Sequence, residues 1–147
     1  MTLKEQLNDA MKTAMKARDD LRLSAVRMVR AAIKNREIDK QIELDDQAVI
    51  DVISTMAKQR RESIRMYTEG NRQDLADRES AELEILLGFL PAQLSPEEID
   101  LLVAQVIEEL QAHGIKDMGR VMKALTPLTA GKADGKTVSD SVRKRLS

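Results

Sequence analysis

Apolar residues recur every three or four positions along almost the whole chain, and this spacing predicts helices. The first run, with Leu3 and Leu7, begins directly after Thr2, whose hydroxyl can cap the start of a helix. Six further helices are predicted: at about 21–38, from about 45 to the pair Gly70-Asn71, at about 73–90, from Ser95 to the pair His113-Gly114, from Asp117 through Leu125, and from Asp134 through Leu146. No stretch has the two-residue alternation of a strand, so the pattern predicts an all-α protein of seven helices.

The stretch that follows residue 94 gives the clearest local signal in the chain. Ser95 can cap a helix start, proline takes the first helical position, and Glu98 closes a capping box. Pro91 disfavours helix in the residue before it, so the preceding helix is expected to end there. We therefore predict an N-terminal domain, residues 1–91, formed by an antiparallel bundle of about four helices, and a small C-terminal three-helix domain, residues 92–147.

Composition narrows the class of protein. The chain of 147 residues has one Phe, one Tyr and no Trp, so aliphatic residues and methionine must form the core, which suits helices better than a sheet. The lack of cysteine removes disulfides, thiolate metal sites and a cysteine nucleophile, and it fits a reducing cytoplasm. The longest apolar run, residues 85–92, is far shorter than the roughly 20 residues that span a bilayer, and no signal-peptide block opens the chain. A cytoplasmic protein without a membrane segment is expected.

Charge is divided into blocks of opposite sign along the chain. The net charge is −1, yet residues 73–110 hold ten acidic side chains and one basic one, whereas residues 111–147 hold eight basic and three acidic ones. Residues 1–36 are also basic, with nine Lys/Arg and four Asp/Glu. Two interpretations remain open. The blocks of opposite sign pair with each other or lie in solvent, or the basic blocks form a nucleic-acid-binding surface.

The segment 129–137, TAGKADGKT, ends like a nucleotide-binding loop. A P-loop needs four residues between its first glycine and the GK pair, whereas three separate Gly131 from Gly135. A P-loop also follows a strand, and this loop joins two predicted helices. We interpret Gly131 as a helix C-terminal cap and Asp134 as the N-cap of the last helix, and we predict no nucleotide cofactor.

Few side chains suggest catalysis or metal binding. His113, the only histidine, is expected to offset the negative end of a helix dipole, because no cysteine or second histidine accompanies it. Glu79 and Glu82 lie three residues apart on one predicted helix and could bind a cation, although such carboxylates more often face solvent or a basic neighbour. No catalytic residue, metal ligand or cofactor site is therefore predicted.

Basic side chains line one side of several predicted helices. They recur at intervals of three and four residues, which places them on one helix face: Arg27, Arg30 and Lys34 on the second helix, and Lys58, Arg61 and Arg65 on the third. In the C-terminal domain, Gly119 lies near a predicted helix start. Its missing side chain suits either close helix packing or the close approach of another backbone, such as that of a nucleic acid.

Motifs in both halves of the chain resemble the GatB/YqeY family. The sequence MGRVM at 118–122, followed by GKADG at 131–135, resembles the tail domain of GatB, the tRNA-binding subunit of glutamine-dependent tRNA amidotransferases. Upstream, RQDL at 72–75 and LPAQLS at 90–95 resemble YqeY-like proteins, in which a GatB-like tail follows a separate helical domain. The resemblance covers essentially the whole chain, with its parts in order.

The resemblance implies a tRNA-contacting module. Amidotransferase chemistry belongs to a large catalytic domain that is not among the matching segments, so the expected role is non-catalytic. The chain would associate with folded tRNA, alone or beside an enzyme of aminoacylation or of glutamine-dependent tRNA amidation, a carbon–nitrogen ligase with glutamine as amido donor. A helical protein–protein adaptor without nucleic acid is the alternative, and an enzyme with its own activity ranks last.

The candidate nucleic-acid-binding residues are called the basic tail set: Lys116, Gly119, Arg120, Lys123, Lys132, Lys136, Arg143 and Lys144. The C-terminal domain offers no aromatic platform on which unpaired bases could stack. A structured RNA, recognised through its phosphates and shape, therefore suits these residues better than a single strand.

Overall fold

The computed structural model describes all residues, 1–147, and contains no strand. It has seven α-helices and one 3₁₀ turn at Ile115–Asp117, so the predicted all-α fold class is confirmed. The helices are α1 (Leu3–Ala17), α2 (Asp20–Lys40), α3 (Asp46–Glu69), α4 (Gln73–Leu87), α5 (Pro96–Leu110), α6 (Met118–Thr129) and α7 (Gly135–Leu146). None of these helices combines the length and apolar character needed to cross a bilayer.

Side-chain caps fix where four of the helices begin. Oxygen atoms of Thr2, Asp19, Asp45 and Ser95 each accept a hydrogen bond from a backbone N–H in the first turn of the following helix. The predicted capping box at Ser95 is complete, because Glu98 Oε1 accepts from the Ser95 N–H at 3.0 Å and Ser95 Oγ accepts from the Glu98 N–H at 3.1 Å. These caps satisfy N–H groups that have no partner within the helix.

The chain forms two compact units, Met1–Leu90 and Pro91–Ser147. Aliphatic residues fill the core of the first unit: Leu3, Leu7, Val26, Val29, Ile33, Leu44, Val49, Val52, Ile53, Met56 and Leu86. A separate group fills the core of the second: Ile99, Val103, Val106, Ala112, Val121, Leu125, Val138, Val142 and Leu146. Each unit therefore buries apolar surface of its own, and such burial is the main favourable contribution to folding.

Helix α4 ends earlier than its sequence pattern predicts. The prediction extended it to Leu90, but it ends at Leu87, with Gly88 as the cap residue. The N–H groups of Phe89 and Leu90 donate to carbonyl oxygens three residues back, both at 3.1 Å. This tighter turn takes the chain out of the α-helix three residues before the predicted end at Leu90.

Helix α5 also ends before the predicted residue. It ends at Leu110, because Gln111 takes a left-handed conformation with φ of 51°. His113 lies beyond the helix, and its N–H donates to Asp117 Oδ2 at 2.7 Å. The predicted helix end at His113 is therefore wrong by three residues, and the predicted role of its side chain at the helix dipole stays a prediction. The carboxylate of Asp117 likewise bonds back to His113 and does not cap the first turn of α6.

Candidate nucleic-acid-binding face

The basic tail set lies within the second unit, on α6, on α7 and in the segments that precede them. Its members are distributed as follows: Lys116 in the 3₁₀ turn, Gly119, Arg120 and Lys123 on α6, Lys132 in the loop between α6 and α7, and Lys136, Arg143 and Lys144 on α7. All eight residues are exposed. Both helices are fixed in one core, since Val121 and Leu125 of α6 and Val138 of α7 are fully buried in it. The set is therefore carried by rigid elements.

Two members of the basic tail set form ion pairs with residues that are close in sequence. Arg120 Nη2 lies 3.7 Å from Asp117 Oδ2, and Arg143 Nη1 lies 3.2 Å from Asp140 Oδ1. Exposed pairs of this kind contribute at most about 1 kcal/mol, so they do not prevent the guanidinium groups from meeting another anion. The pKa of Asp117 is lowered first by the hydrogen bond from the His113 N–H, and then by nearby cations that include Arg120.

The carboxylates of α5 do not neutralise the basic tail set. Asp100 Oδ1 accepts a hydrogen bond from the Ser141 hydroxyl at 2.7 Å, Glu98 is held in the capping box, and Glu109 accepts from Gln105 at 3.1 Å. None of these groups pairs with a lysine or arginine of the tail. The lysines and arginines of the set are exposed to solvent, and Arg120 and Arg143 each also have a nearby aspartate.

Gly119 is not required by packing. A methyl group added at its α-carbon would meet no atom within 4 Å, and its backbone does not adopt a positive φ. Close helix packing, one of the two explanations open from the sequence, is thereby excluded. Gly119 is the second residue of α6, and the 3₁₀ turn precedes this helix directly, so that the Met118 N–H donates to the Ile115 carbonyl. The approach of another backbone, such as that of a nucleic acid, stays a prediction.

The loop between α6 and α7 is held by backbone contacts to the start of the second unit. The Leu94 N–H donates to the Lys132 carbonyl at 2.8 Å, and Gln93 Nε2 donates to the Gly131 carbonyl at 2.8 Å. Gly131 follows α6 with φ of 74°, the left-handed conformation of a C-terminal cap glycine. The loop joins two helices, so it lacks the preceding strand that a P-loop needs.

Arg60, which the sequence analysis did not single out, forms ion pairs with Glu79 and Glu82, the two glutamates considered there as cation ligands. Arg60 Nε lies 3.3 Å from Glu79 Oε2 and 2.9 Å from Glu82 Oε2, although its N–H direction does not meet hydrogen-bond geometry. The three side chains are 14%, 21% and 12% exposed. Arg60 stands outside the basic stripe, on the side of α3 that faces α4. Its position three residues after Ala57, a core-facing residue, was the available signal.

Arg65 of the predicted α3 stripe is also paired. Its guanidinium donates to Glu62 Oε2 at 3.1 Å and to Glu69 Oε1 at 3.0 Å, and these hydrogen bonds raise the pKa of Arg65. No group of three or more His, Asp or Glu side chains is arranged to hold a metal ion.

Comparison with known proteins identifies relatives. A sequence profile of the family described as Yqey-like protein matches residues 4–146. Proteins named altered inheritance of mitochondria protein 41, mitochondrial, are similar to the chain. The one from Lachancea thermotolerans is 42% identical over 71% of this chain and 58% of its own length. The one from Kluyveromyces lactis is 37% identical over the same shares, and the one from Pyrenophora tritici-repentis is 28% identical over 95% and 78%.

The names of these relatives overturn the expected cytoplasmic location, because they are mitochondrial proteins. The absence of cysteine could not have settled the compartment, since it only shows that the fold needs no disulfide. The chain spans about 58% of the length of the relatives from Lachancea thermotolerans and Kluyveromyces lactis.

Proposed function

We propose that this chain, which belongs to the Yqey-like protein family, is a non-catalytic module that binds folded tRNA through the basic tail set. It would act alone or beside an enzyme of tRNA amidation or aminoacylation. Because the relatives are named as mitochondrial proteins, mitochondrial tRNA is the first pool to test. The observation that carries the proposal is Gly119, an exposed glycine that packing does not require, next to the exposed cations Arg120 and Lys123.

The charge arrangement supports a phosphate partner. Five cations of the basic tail set stand on α6 and α7, whose inner faces are packed in a core, so little ordering of the backbone is needed when these residues bind: Arg120, Lys123, Lys136, Arg143 and Lys144. When arginine and lysine side chains bind phosphates, condensed counterions leave the nucleic acid, and this release favours binding. At Gly119 the missing side chain lets a phosphate approach the backbone at the positive end of the α6 dipole.

Charge reversal tests the proposal directly. The double variant Arg120→Glu, Lys123→Glu should bind total tRNA much more weakly in a filter-binding assay, and about equally so for different tRNAs, since phosphate contacts carry no base information. The logarithm of the association constant should fall by roughly 0.7–0.9 per released contact for each tenfold rise in salt. The matched control is Lys12→Glu, Lys16→Glu, two exposed lysines of α1 in the first unit. Equal weakening by both double variants would mean that only overall charge matters.

Two glycine-to-alanine substitutions distinguish an effect on tRNA binding from an effect on stability. Gly119→Ala should leave the fold as stable as before, or up to about 1 kcal/mol more stable, because alanine favours helix. The same change should reduce tRNA affinity if a backbone passes close to Gly119. Gly135→Ala is the control, since Gly135 also opens a helix and also has no atom near an added methyl group. Unchanged affinity in Gly119→Ala would remove the observation on which the proposal rests.

The second candidate function is a protein–protein adaptor, favoured by exposed apolar side chains in the same unit. Leu101 is 72% exposed and Leu128 is 47% exposed. An adaptor should bind no tRNA at about 100 mM salt, where phosphate contacts are still strong. Its capture of a partner in a pull-down should be lost in Leu101→Ser and retained in the Arg120→Glu, Lys123→Glu variant. The opposite pattern supports tRNA binding.

A further inference from the structure

A cavity of about 160 Å³ opens between α1 and α2 in the first unit. The buried side chains of Leu7 and Ile33 supply its apolar lining. A single water needs only about 10–15 Å³ of such volume, so the cavity has room for a group of several heavy atoms. It lies in the unit that does not carry the basic tail set.

Three cations and one carboxylate line this cavity. Lys4 and Glu37 form an ion pair, and Glu37 Oε2 also accepts from the Leu44 N–H at 2.8 Å, so this carboxylate is satisfied by the protein itself. Arg30 and Lys34 lie four residues apart on one face of α2. Lys34 acts on the Glu37 carboxylate through its charge, and Arg30 Nη1 donates to the weakly accepting sulfur of Met11 at 2.7 Å.

Asn8 faces these cations from α1 and adds an amide that can donate hydrogen bonds. With Lys4 and Glu37 cancelling, Arg30 and Lys34 leave two positive charges at the mouth of the cavity. This arrangement of a guanidinium fork, an ammonium group and an amide above an apolar floor suits a compact anion that carries more than one charge and several acceptor oxygens.

We propose that the cavity between α1 and α2 binds a phosphate group. A phosphate monoester carries about −1.5 to −2 charges and three acceptor oxygens at pH 7, which matches the net charge of +2 on the lining better than a single carboxylate does. The phosphate therefore belongs to a small phosphorylated molecule, because each phosphodiester of an RNA backbone carries only one negative charge. The site is independent of the proposed function of the tail.

Titration of the intact protein with sodium phosphate, followed by the backbone amide signals in NMR spectra, tests the site. Sodium chloride at matched ionic strength is the reference, and pyrophosphate and total tRNA are separate arms. Shifts at Asn8 and Ile33 should saturate with phosphate and not with chloride. Arg30→Gln and Lys34→Gln should each weaken binding about tenfold, the loss expected for one hydrogen bond to a charged group.

Arg27→Gln is the matched control, because Arg27 is an exposed arginine of α2 that does not line the cavity. Saturable binding of phosphate or pyrophosphate that depends on Arg30 and not on Arg27 assigns the site to small phosphorylated molecules. Binding of tRNA alone with the same dependence contradicts the proposal, because a singly charged backbone phosphate would then suffice. The proposal is overturned if Arg27→Gln and Arg30→Gln weaken binding equally. It is also overturned if no arm shows saturable binding. The variants of Arg120 and Lys123 test the tail separately, so either site can fail alone.

Discussion

Replacing Arg60 by methionine should destabilise the first unit more than the loss of an exposed ion pair would. Arg60 is 14% exposed and lies between Glu79 and Glu82, which are 21% and 12% exposed. Methionine keeps much of the packing volume but removes the one cation that contacts both carboxylates; Glu82 then retains only the exposed Arg78, whose Nε lies 3.9 Å from Glu82 Oε1. Breaking a fully buried pair costs about 3–5 kcal/mol, and because these groups retain some solvent we expect a loss of about 2–3 kcal/mol.

Arg65→Met is the control for the general effect of losing an arginine on α3. Arg65 is 50% exposed and its partners Glu62 and Glu69 are 45% and 66% exposed. Solvent screens such pairs, so the cost should be below about 1 kcal/mol. Both variants keep the same helix and make the same change of residue.

Urea unfolding followed by far-ultraviolet circular dichroism measures both variants. The transition midpoint should fall clearly in Arg60→Met with little change in slope, since the surface exposed on unfolding is nearly the same. Adding Glu79→Gln and Glu82→Gln to Arg60→Met should recover part of the loss, because the unpaired charges are then absent. A loss in Arg60→Met no larger than in Arg65→Met, or no recovery in the triple variant, would refute the electrostatic reasoning.

Further predictions concern the caps, the pH dependence, the loop and the second unit. Ser95→Ala should cost about 1 kcal/mol in a denaturant melt through loss of the helix cap, and a change near zero would contradict the capping box. The Lys4 hydrogen bond, followed by that of the Leu44 N–H, lowers the pKa of Glu37 below 4.5, so its contribution is present above pH 4.5 and lost as pH falls through the lowered pKa. The stability of Glu37→Gln should therefore approach that of the unchanged protein on acidification; a gap that stays constant would exclude this linkage. Calorimetry with Mg-ATP should be silent, and saturable binding lost in Lys136→Ala would reverse the interpretation of the loop. Residues 91–147 expressed alone should be helical and melt cooperatively, and a random-coil spectrum would show that this unit depends on the other.

The helix starts were predictable from sequence because their causes are local. A cap oxygen at Thr2 or Ser95 and the N–H groups it satisfies lie within four residues, so the residue types alone indicate the geometry. Apolar spacing also indicated the inner faces, as at Val138 and Val142, both of which are buried in the core of the second unit.

Features that depend on tertiary contacts were harder to predict. Arg60 lies beside the basic stripe in sequence, and only the packing of α3 against α4 turns it towards Glu79 and Glu82. The residues of the cavity between α1 and α2 come from two helices, and the stripe on α2 indicated only part of that set. The ends of α4 and α5 were misplaced because local turns at Gly88 and Gln111 end these helices before the proline and the His-Gly pair that were used as signals. Left-handed conformations at Gln111 and Arg18 have no distinctive residue type.

The isoelectric point of about 5.9 is a poor guide to nucleic-acid binding in this chain. All five charged residues of α5 are acidic, whereas residues 111–147 hold eight basic and three acidic side chains. At physiological salt the field of a charge decays over about 8 Å, so a ligand senses the local helix rather than the net charge of the chain. An RNA backbone near the second unit should be repelled by α5 and attracted by α6 and α7. The acidic helix then restricts the direction of approach, which is why charge reversal on α6 is expected to act more strongly than the same reversal on α1.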